Sequence, residues 1–162
     1  MCCCYGFHRG GLVYLYYKGR RDAPRPAGRF DQLPVVTVQL PMFNERYVAR
    51  RIIEQSCRID YPADKLEIQV LDDSTDETVD VARETAERMR QAGHDVVYIH
   101  RTDRTGYKAG ALEAGLKVAK GEFVCIFDAD FIPPRDILAR TIDHFTDPDV
   151  GMVQARWDHI NR

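Results

Sequence analysis

The chain lacks most of the features that would assign it to a class at a glance. No run of 18 apolar residues occurs, so no segment reads as a bilayer-spanning helix. There is no disulfide framework: Cys2, Cys3 and Cys4 are adjacent and bridge one another poorly, and Cys57 and Cys125 sit apart in apolar patterns. Neither these cysteines nor the scattered histidines (His8, His94, His100, His144, His159) have metal-ligand spacing. This cysteine usage suits a reducing, cytosolic setting for the body of the chain. A phosphate-binding GxxxxGK[ST] loop is absent, as is any Ser/His/Asp or Cys/His grouping. There is no internal repeat and no low-complexity segment. A net charge of -2 gives no general case for nucleic acid as a partner.

What is present is ordinary in amount and uneven in placement. The 162 residues, 44% hydrophobic and 30% charged, suffice for one domain with a substantial core. Residues 1–33 carry six basic groups (Arg9, Lys18, Arg20, Arg21, Arg25, Arg29) and two acidic ones (Asp22, Asp31). Of the 23 basic and 25 acidic groups in all, 17 and 23 therefore fall in the remainder, so a basic arm precedes an acidic body. Within the arm, the aromatic-rich run 12–17 lies between Arg9 and Lys18. Such a segment suits a membrane–water interface, and Cys2–Cys4 are candidates for acylation. The bland reading is a frayed basic tail, or the remnant of a truncated gene.

Two prolines and a glycine within 22–29 mark a linker over 22–34, so the folded unit is expected from residue 34 to 162. From there apolar strands alternate with helical spacing. Strands are predicted at 35–40, 66–71, 95–100, 123–127 and 151–155. Helices are predicted at 47–57, from a capping box Ser74-Thr75-Asp76-Glu77 to Gly93, along a face of Ala109, Leu112, Leu116 and Ala119, and from Pro133-Pro134 to about Phe145. This is an α/β pattern, a mostly parallel sheet with helices on both faces. Ligands in such sheets bind at the carboxyl ends of the strands.

The unusual residues fall at those ends. Pro41-Met42-Phe43-Asn44-Glu45 follows the first strand, where Asn44 either caps a helix or the loop lies under a nucleotide base. Asp72-Asp73-Ser74-Thr75-Asp76 follows the second. Its carboxylates either shape a turn or accept hydrogen bonds from a base N–H or ribose hydroxyl. A basic, glycine-bearing loop with Arg101, Arg104 and Lys108 follows the third; it is either a solvated turn or a diphosphate site at a helix start. Phe127-Asp128-Ala129-Asp130-Phe131 follows the fourth and is the sharpest feature. Residues i and i+2 of an extended chain point the same way, so Asp128 and Asp130 would repel unless a hard cation such as Mg²⁺ or Mn²⁺ offset them. The alternative is a pair of exposed loop aspartates, which the flanking apolar residues disfavour.

Taken in order, these four loops with Gly106-Tyr107-Lys108-Ala109-Gly110-Ala111-Leu112 resemble glycosyltransferase family 2, over about residues 34–162. The likeness is to the cellulose-synthase-like and glucomannan mannosyltransferase branch, as it is for Val153-Gln154-Ala155-Arg156-Trp157 with His159 and Asn161. The resemblance implies a GT-A fold, Rossmann-like and incomplete here. It implies transfer of a hexose from a nucleotide-diphosphate sugar, UDP-glucose or GDP-mannose in type, to a growing β-linked glycan acceptor. Donor contacts would come from Pro41, Phe43, Asn44, Glu45, Asp72, Asp73, Arg104, Lys108 and Asp128. Asp128 and Asp130 would hold Mn²⁺ or Mg²⁺, with Asp130 the metal ligand proper. Family members are membrane-embedded with a cytoplasmic catalytic domain, so the basic start looks like a juxtamembrane stretch beside a transmembrane segment missing here. The family's general base and Gln-x-x-Arg-Trp motif come well after the DxD pair, and Gln154-Ala155-Arg156-Trp157 is one residue too short for that motif. The base is thus expected beyond Arg162, leaving this chain the donor and metal site. Two other functions share the pattern: a sugar-nucleotide nucleotidyltransferase, which would carry a glycine-rich loop at 41–45, and a non-catalytic nucleotide-binding module.

Overall fold

The computed structural model describes residues 2–19 and 25–155, with the side chains of residues 2–8 outside that description. The side chains of Cys2, Cys3 and Cys4, and Arg156, Trp157, His159 and Asn161, therefore lie outside the described residues. The basic start forms a helix, α1 (Cys2–Gly19), exposed along residues 9–19. Among the described residues, no helix is long and apolar enough to cross a membrane.

The body runs β1 (Val36–Met42), α2 (Arg46–Ser56), β2 (Leu66–Asp72), α3 (Thr78–Gln91), β3 (Asp95–His100), α4 (Tyr107–Leu116), β4 (Phe123–Ile126) and α5 (Ile137–Thr141). Its four strands form one parallel sheet in the order β3-β2-β1-β4. The α/β class read from the alternation is the class observed.

Strand parity divides the sheet into two chemically different faces. Val36, Val38, Leu40 and Met42 of β1, with Leu66, Ile68 and Val70 of β2, join Ala49, Ile52 and Ile53 of α2 and Ala82 and Ala86 of α3 in one apolar core. Ile52 and Ile53 are fully buried, and each contributes about 1.5–3 kcal/mol by leaving water. The opposite parity is polar but equally buried: Thr37, Gln39, Glu67 and Gln69. These groups bond to one another, although Glu67 Oε1 is buried without a hydrogen-bond partner and has Lys120 Nζ 3.9 Å away. Thr37 Oγ1 donates to Glu67 Oε2 at 2.6 Å, and Gln39 Nε2 donates to Gln69 Oε1 at 3.0 Å. The turn after α4 closes the network, with the Lys120 N–H donating to Glu67 Oε2 at 3.0 Å and the Gly121 N–H to Thr37 Oγ1 at 2.9 Å.

Helix α4 covers this polar face at close range. A Cβ on Gly115 would stand 2.6 Å from Gln39 Nε2 and 2.7 Å from Gln69 Oε1, so a side chain there would force the two buried amides to shift. The predicted face is accordingly off: Ala111 and Gly115 point inward, while Leu116 is exposed. Small residues, not the leucines, let the helix sit down on the side-chain amides.

Other expectations give way for local reasons. Ser74 does not cap α3; its Oγ accepts the Asn44 N–H, and Asp76 Oδ1 accepts the Thr78 N–H at the helix start. The helix expected from Pro133 starts instead at Ile137 and passes into a 3-10 turn at Ile142–Thr146. A residue that precedes proline is pushed out of the α region, so Pro133 cannot open a helix with Pro134 behind it. Residues 151–155 form no strand, because no described strand lies beside them to complete a ladder. Strand β4 is not buried throughout but is an edge strand with Val124 and Ile126 exposed. Ahead of β1, Phe30 packs edge-on against Phe123, and its N–H donates to Asp143 Oδ1 at 3.2 Å.

Two predictions follow from the packing. Gly115→Ala is expected to lower stability by about 1–3 kcal/mol in urea denaturation, since the neighbours are two buried amides, whereas Gly151→Ala, with open space around it, shifts it by less than about 0.5 kcal/mol. Burial pushes the Cys57 and Cys125 thiols from 9.0 up to about 12, with Glu54 adding to the effect at Cys57. Both should resist alkylation at pH 8 in the native protein and react once it is unfolded, as site-resolved mass spectrometry would show. Their contribution to stability is complete below pH 9.0 and is lost as pH rises toward 12, because the unfolded chain ionises first.

Candidate functional site

All four strands point the same way, so their carboxyl ends meet along one edge of the sheet. Met42 stands level with Asp72, and Asp72 with His100. The loops that leave these ends enclose a cavity of about 460 Å³, lined by Pro41, Met42, Phe43, Glu45, Asp73, Arg104, Lys108, Ala111, Asp128, Ala129 and Asp130. Of the candidates named from the sequence, Asn44, Asp72 and Arg101 do not line it, while Pro41, Phe43, Glu45, Asp73, Arg104, Lys108, Asp128 and Asp130 do. Met42, Ala111 and Ala129 are the additions. They carry no chemical signature, and only the strand and helix geometry places them there.

Asp72 and Asn44 build the walls from behind. Asp72 is completely buried. Its Oδ1 accepts the Ser74 N–H at 2.8 Å, and its Oδ2 accepts the Tyr98 hydroxyl at 2.7 Å. Nδ1 of His100 lies 3.6 Å from the same Oδ2. Burial, followed by the bond to Asp72, holds the Tyr98 phenol well above its ordinary range. The main-chain oxygen of Asp72 accepts the Arg101 N–H, which ties the loop after β3 to the end of β2. Asn44 joins the loops after β1 and β2: its N–H donates to Ser74 Oγ at 2.9 Å, and the Thr75 N–H donates to its Oδ1, also at 2.9 Å. It makes these bonds in the left-handed region, at φ 55°. Tyr107, at φ 50°, is the other non-glycine residue so placed among those described, and it too stands at this edge, as the first residue of α4. Strain of this kind persists where the surroundings over-determine the backbone.

Asp73 faces the cavity but is gripped from the side. Arg101 Nε donates to its Oδ1 at 2.8 Å and Nη2 to its Oδ2 at 2.5 Å. The same guanidinium donates to the Tyr107 main-chain oxygen at 3.1 Å and the Thr105 oxygen at 3.3 Å. Of the three basic residues in this loop, Arg101 is thus committed to holding it. The loop lies hard against α4: a Cβ on Gly110 would stand 2.1 Å from the Thr105 oxygen. Arg104 lies flat on Phe43, its guanidinium carbon 3.3 Å from the ring centroid and 5.2 Å from that of Tyr107. This cation–π stack forms one side of the cavity, and Arg104 Nε is buried without a hydrogen-bond partner.

The opposite side is acidic. The chain turns just after β4, with the Phe131 N–H donating to the Asp128 main-chain oxygen at 2.9 Å. The extended i, i+2 geometry expected of Asp128 and Asp130 therefore does not apply. A turn brings both to the cavity instead, anchored by buried Phe127 and Ala129. Lys108, in the first turn of α4, forms an ion pair with Asp128. Glu45 senses the same group of charges. Its carboxyl is raised by burial first, then by Asp130 and Asp128, with Lys108 opposing. Among the described residues no three His, Cys, Asp or Glu side chains converge closely enough to hold a metal by themselves. A cation here would need oxygens from a ligand as well.

Comparison with known proteins bears on the whole arrangement. Residues 37–162 match the family model described as glycosyl transferase family 2. The chain is 49% identical over 162 residues to glucomannan 4-beta-mannosyltransferase 2 of Arabidopsis thaliana, covering 93% of this chain and 30% of that protein. It is 47% identical over 133 residues to glucomannan 4-beta-mannosyltransferase 1 of Oryza sativa subsp. japonica, covering 79% and 26%. The chain thus spans less than a third of the length of these curated relatives. Among solved structures it superposes on the mannosyltransferase PcManGT from Pyrobaculum calidifontis, in complex with GDP-Man and Mn2+, with a TM-score of 0.76, 34% identity, and coverage of 93% of this chain and 44% of that one. The sheet and its flanking helices are those of the GT-A fold. With its family model matched from within β1 through every strand-end loop, this chain is a member of glycosyltransferase family 2.

Proposed function

We propose that this chain is the donor-binding part of a hexosyltransferase. It would hold a nucleotide-diphosphate sugar and a divalent cation for transfer of the hexose to a growing β-linked polysaccharide. One observation carries the reading: a single cavity at the carboxyl edge of the sheet is flanked by the aromatic–guanidinium stack of Phe43 and Arg104 and by the cluster of Lys108, Asp128 and Asp130. The first suits a flat base and the second a diphosphate with its metal. The names of the relatives, and the GDP-Man bound by PcManGT, favour GDP-mannose over UDP-glucose as the donor.

In this assignment Asp73, aimed by the fork from Arg101, accepts hydrogen bonds from the base or ribose, while Pro41 and Phe43 bound the base. Asn44 and Asp72 act indirectly, by fixing the loops. Lys108 and the amides at the start of α4 meet the diphosphate. Asp128 and Asp130 fit a hard ion that takes one or two carboxylates and completes its shell with phosphate oxygens, as Mn²⁺ or Mg²⁺ does. When bound, such an ion offsets the charge that develops on the departing nucleotide diphosphate. Deprotonation of the acceptor hydroxyl is assigned to no residue of the described cavity and is placed with a base outside residues 1–162. The proposal also sets the domain at the cytoplasmic side of a membrane. Supporting this, α1 exposes Leu12, Val13, Leu15 and three tyrosines (Tyr14, Tyr16, Tyr17) beside Lys18, a composition suited to a lipid–water interface.

Calorimetric titration of GDP, and separately UDP, with and without Mn²⁺ tests the donor site. GDP should bind in a metal-dependent way, and Asp130→Asn should weaken that binding by about tenfold or more. Metal-independent binding, or none in a folded protein, would refute the reading. The gripping role of Arg101 has its own check in urea denaturation. Arg101→Leu should lower stability by about 3 kcal/mol because it strands a buried carboxylate, and Asp73→Asn in the same background should recover part of that loss.

A further inference from the structure

The cavity gathers several carboxylates, and one cation pairs with its acidic side. Four carboxylates line it: Glu45, Asp73, Asp128 and Asp130. Asp73 is neutralised by the fork from Arg101. Arg104 lies over Phe43 and is directed at the ring. Arg51 approaches the acidic turn, but through the Asp130 main-chain oxygen, at 3.3 Å. That leaves Lys108 as the described side-chain cation that pairs with a cavity carboxylate of the acidic side, Asp128. The pair is no structural tie. Its side chains are 52% and 53% exposed, and a solvated pair of this kind contributes only about 0–1 kcal/mol. It can open whenever something better arrives.

We propose that Lys108 is a stand-in cation: in the free protein its ammonium takes the place of the divalent ion beside Asp128, and the donor's diphosphate draws it away. The idea rests on the donor-site reading above and adds an order of events to it. A bare metal ion must compete with Lys108 for Asp128 and is repelled by the ammonium. A diphosphate offers the ammonium a new partner with more negative charge than Asp128 has. Once the ammonium moves onto the diphosphate, Asp128 is free to share the ion with Asp130 and with the phosphate oxygens. Metal and nucleotide then bind as a unit, each raising the affinity for the other, and such coupling is reciprocal. The functional consequence is that the acidic turn is not occupied by free cations while no donor is bound.

The test is titration of the protein with Mn²⁺ alone, following the free-ion signal by electron paramagnetic resonance, and with GDP alone by calorimetry. Lys108→Met should bind Mn²⁺ about tenfold more tightly than the parent, the scale expected for removing a unit charge about 5 Å from a doubly charged ion in a water-like medium. The same variant should bind GDP more weakly, and Lys108→Arg should stay close to the parent in both. Both side chains are half-exposed, so the fold does not depend on them. Equal or weaker Mn²⁺ binding by Lys108→Met overturns the stand-in role. If the parent still binds GDP with Mn²⁺ in an Asp130-dependent way, the donor-site reading survives that outcome. If neither protein binds Mn²⁺ with or without GDP, both ideas fall.

Discussion

Everything at the site depends on the parallel register of the sheet. Because β1, β2, β3 and β4 run the same way, four separate loops must leave the sheet at one edge. An antiparallel neighbour would send its loop to the far end and split the cavity. Parallel strands need crossovers, and the helices that make them cover both faces, so β1 and β2 are buried along their full length. The edge then becomes the place where polar loops can gather around a ligand without disturbing the core.

Once gathered, the loops must be held, and the holding is done by buried polar groups. Asp72 spends its carboxylate and its main-chain oxygen on three neighbouring segments. Arg101 spends its guanidinium on Asp73 and on two carbonyl oxygens of its own loop. Asn44 accepts a left-handed backbone in order to bridge to Ser74 and Thr75. None of these is free to move toward a ligand at low cost, because a buried polar group that loses its partner is left desolvated. The less tightly held groups, Lys108, Asp128 and Asp130, lie on the more exposed side. The cavity therefore combines a rigid wall suited to a base with a movable one suited to phosphate and metal.

The polar network beneath α4 ties this arrangement to the sheet. Thr37, Glu67, Gln39 and Gln69 form a buried ladder that needs a close lid, and Gly115 provides it. The closeness of α4 in turn fixes where Lys108 starts and where Ala111 meets the cavity.

The amino-acid sequence by itself determined the α/β class, the first four strands, the helices after β1 and β2, and which strand ends bear polar loops. It could do so because hydrophobic period and turn residues act locally, within a few positions of the chain. Membership of the family was legible for the same reason, through short motifs in a set order. Tertiary structure decided what those motif residues do. Ser74 reads as a helix cap and Arg101 as an anion ligand when only neighbours are considered; their actual partners are 30 and 28 residues away. The sequence could not show that Asp72 is enclosed while Asp73 faces the cavity, because adjacent residues of a strand end point to opposite sides and only packing says which side is covered. It could not show that Lys108 reaches Asp128, 20 residues on, because that contact exists only once the start of α4 and the turn after β4 meet at the same edge of the sheet.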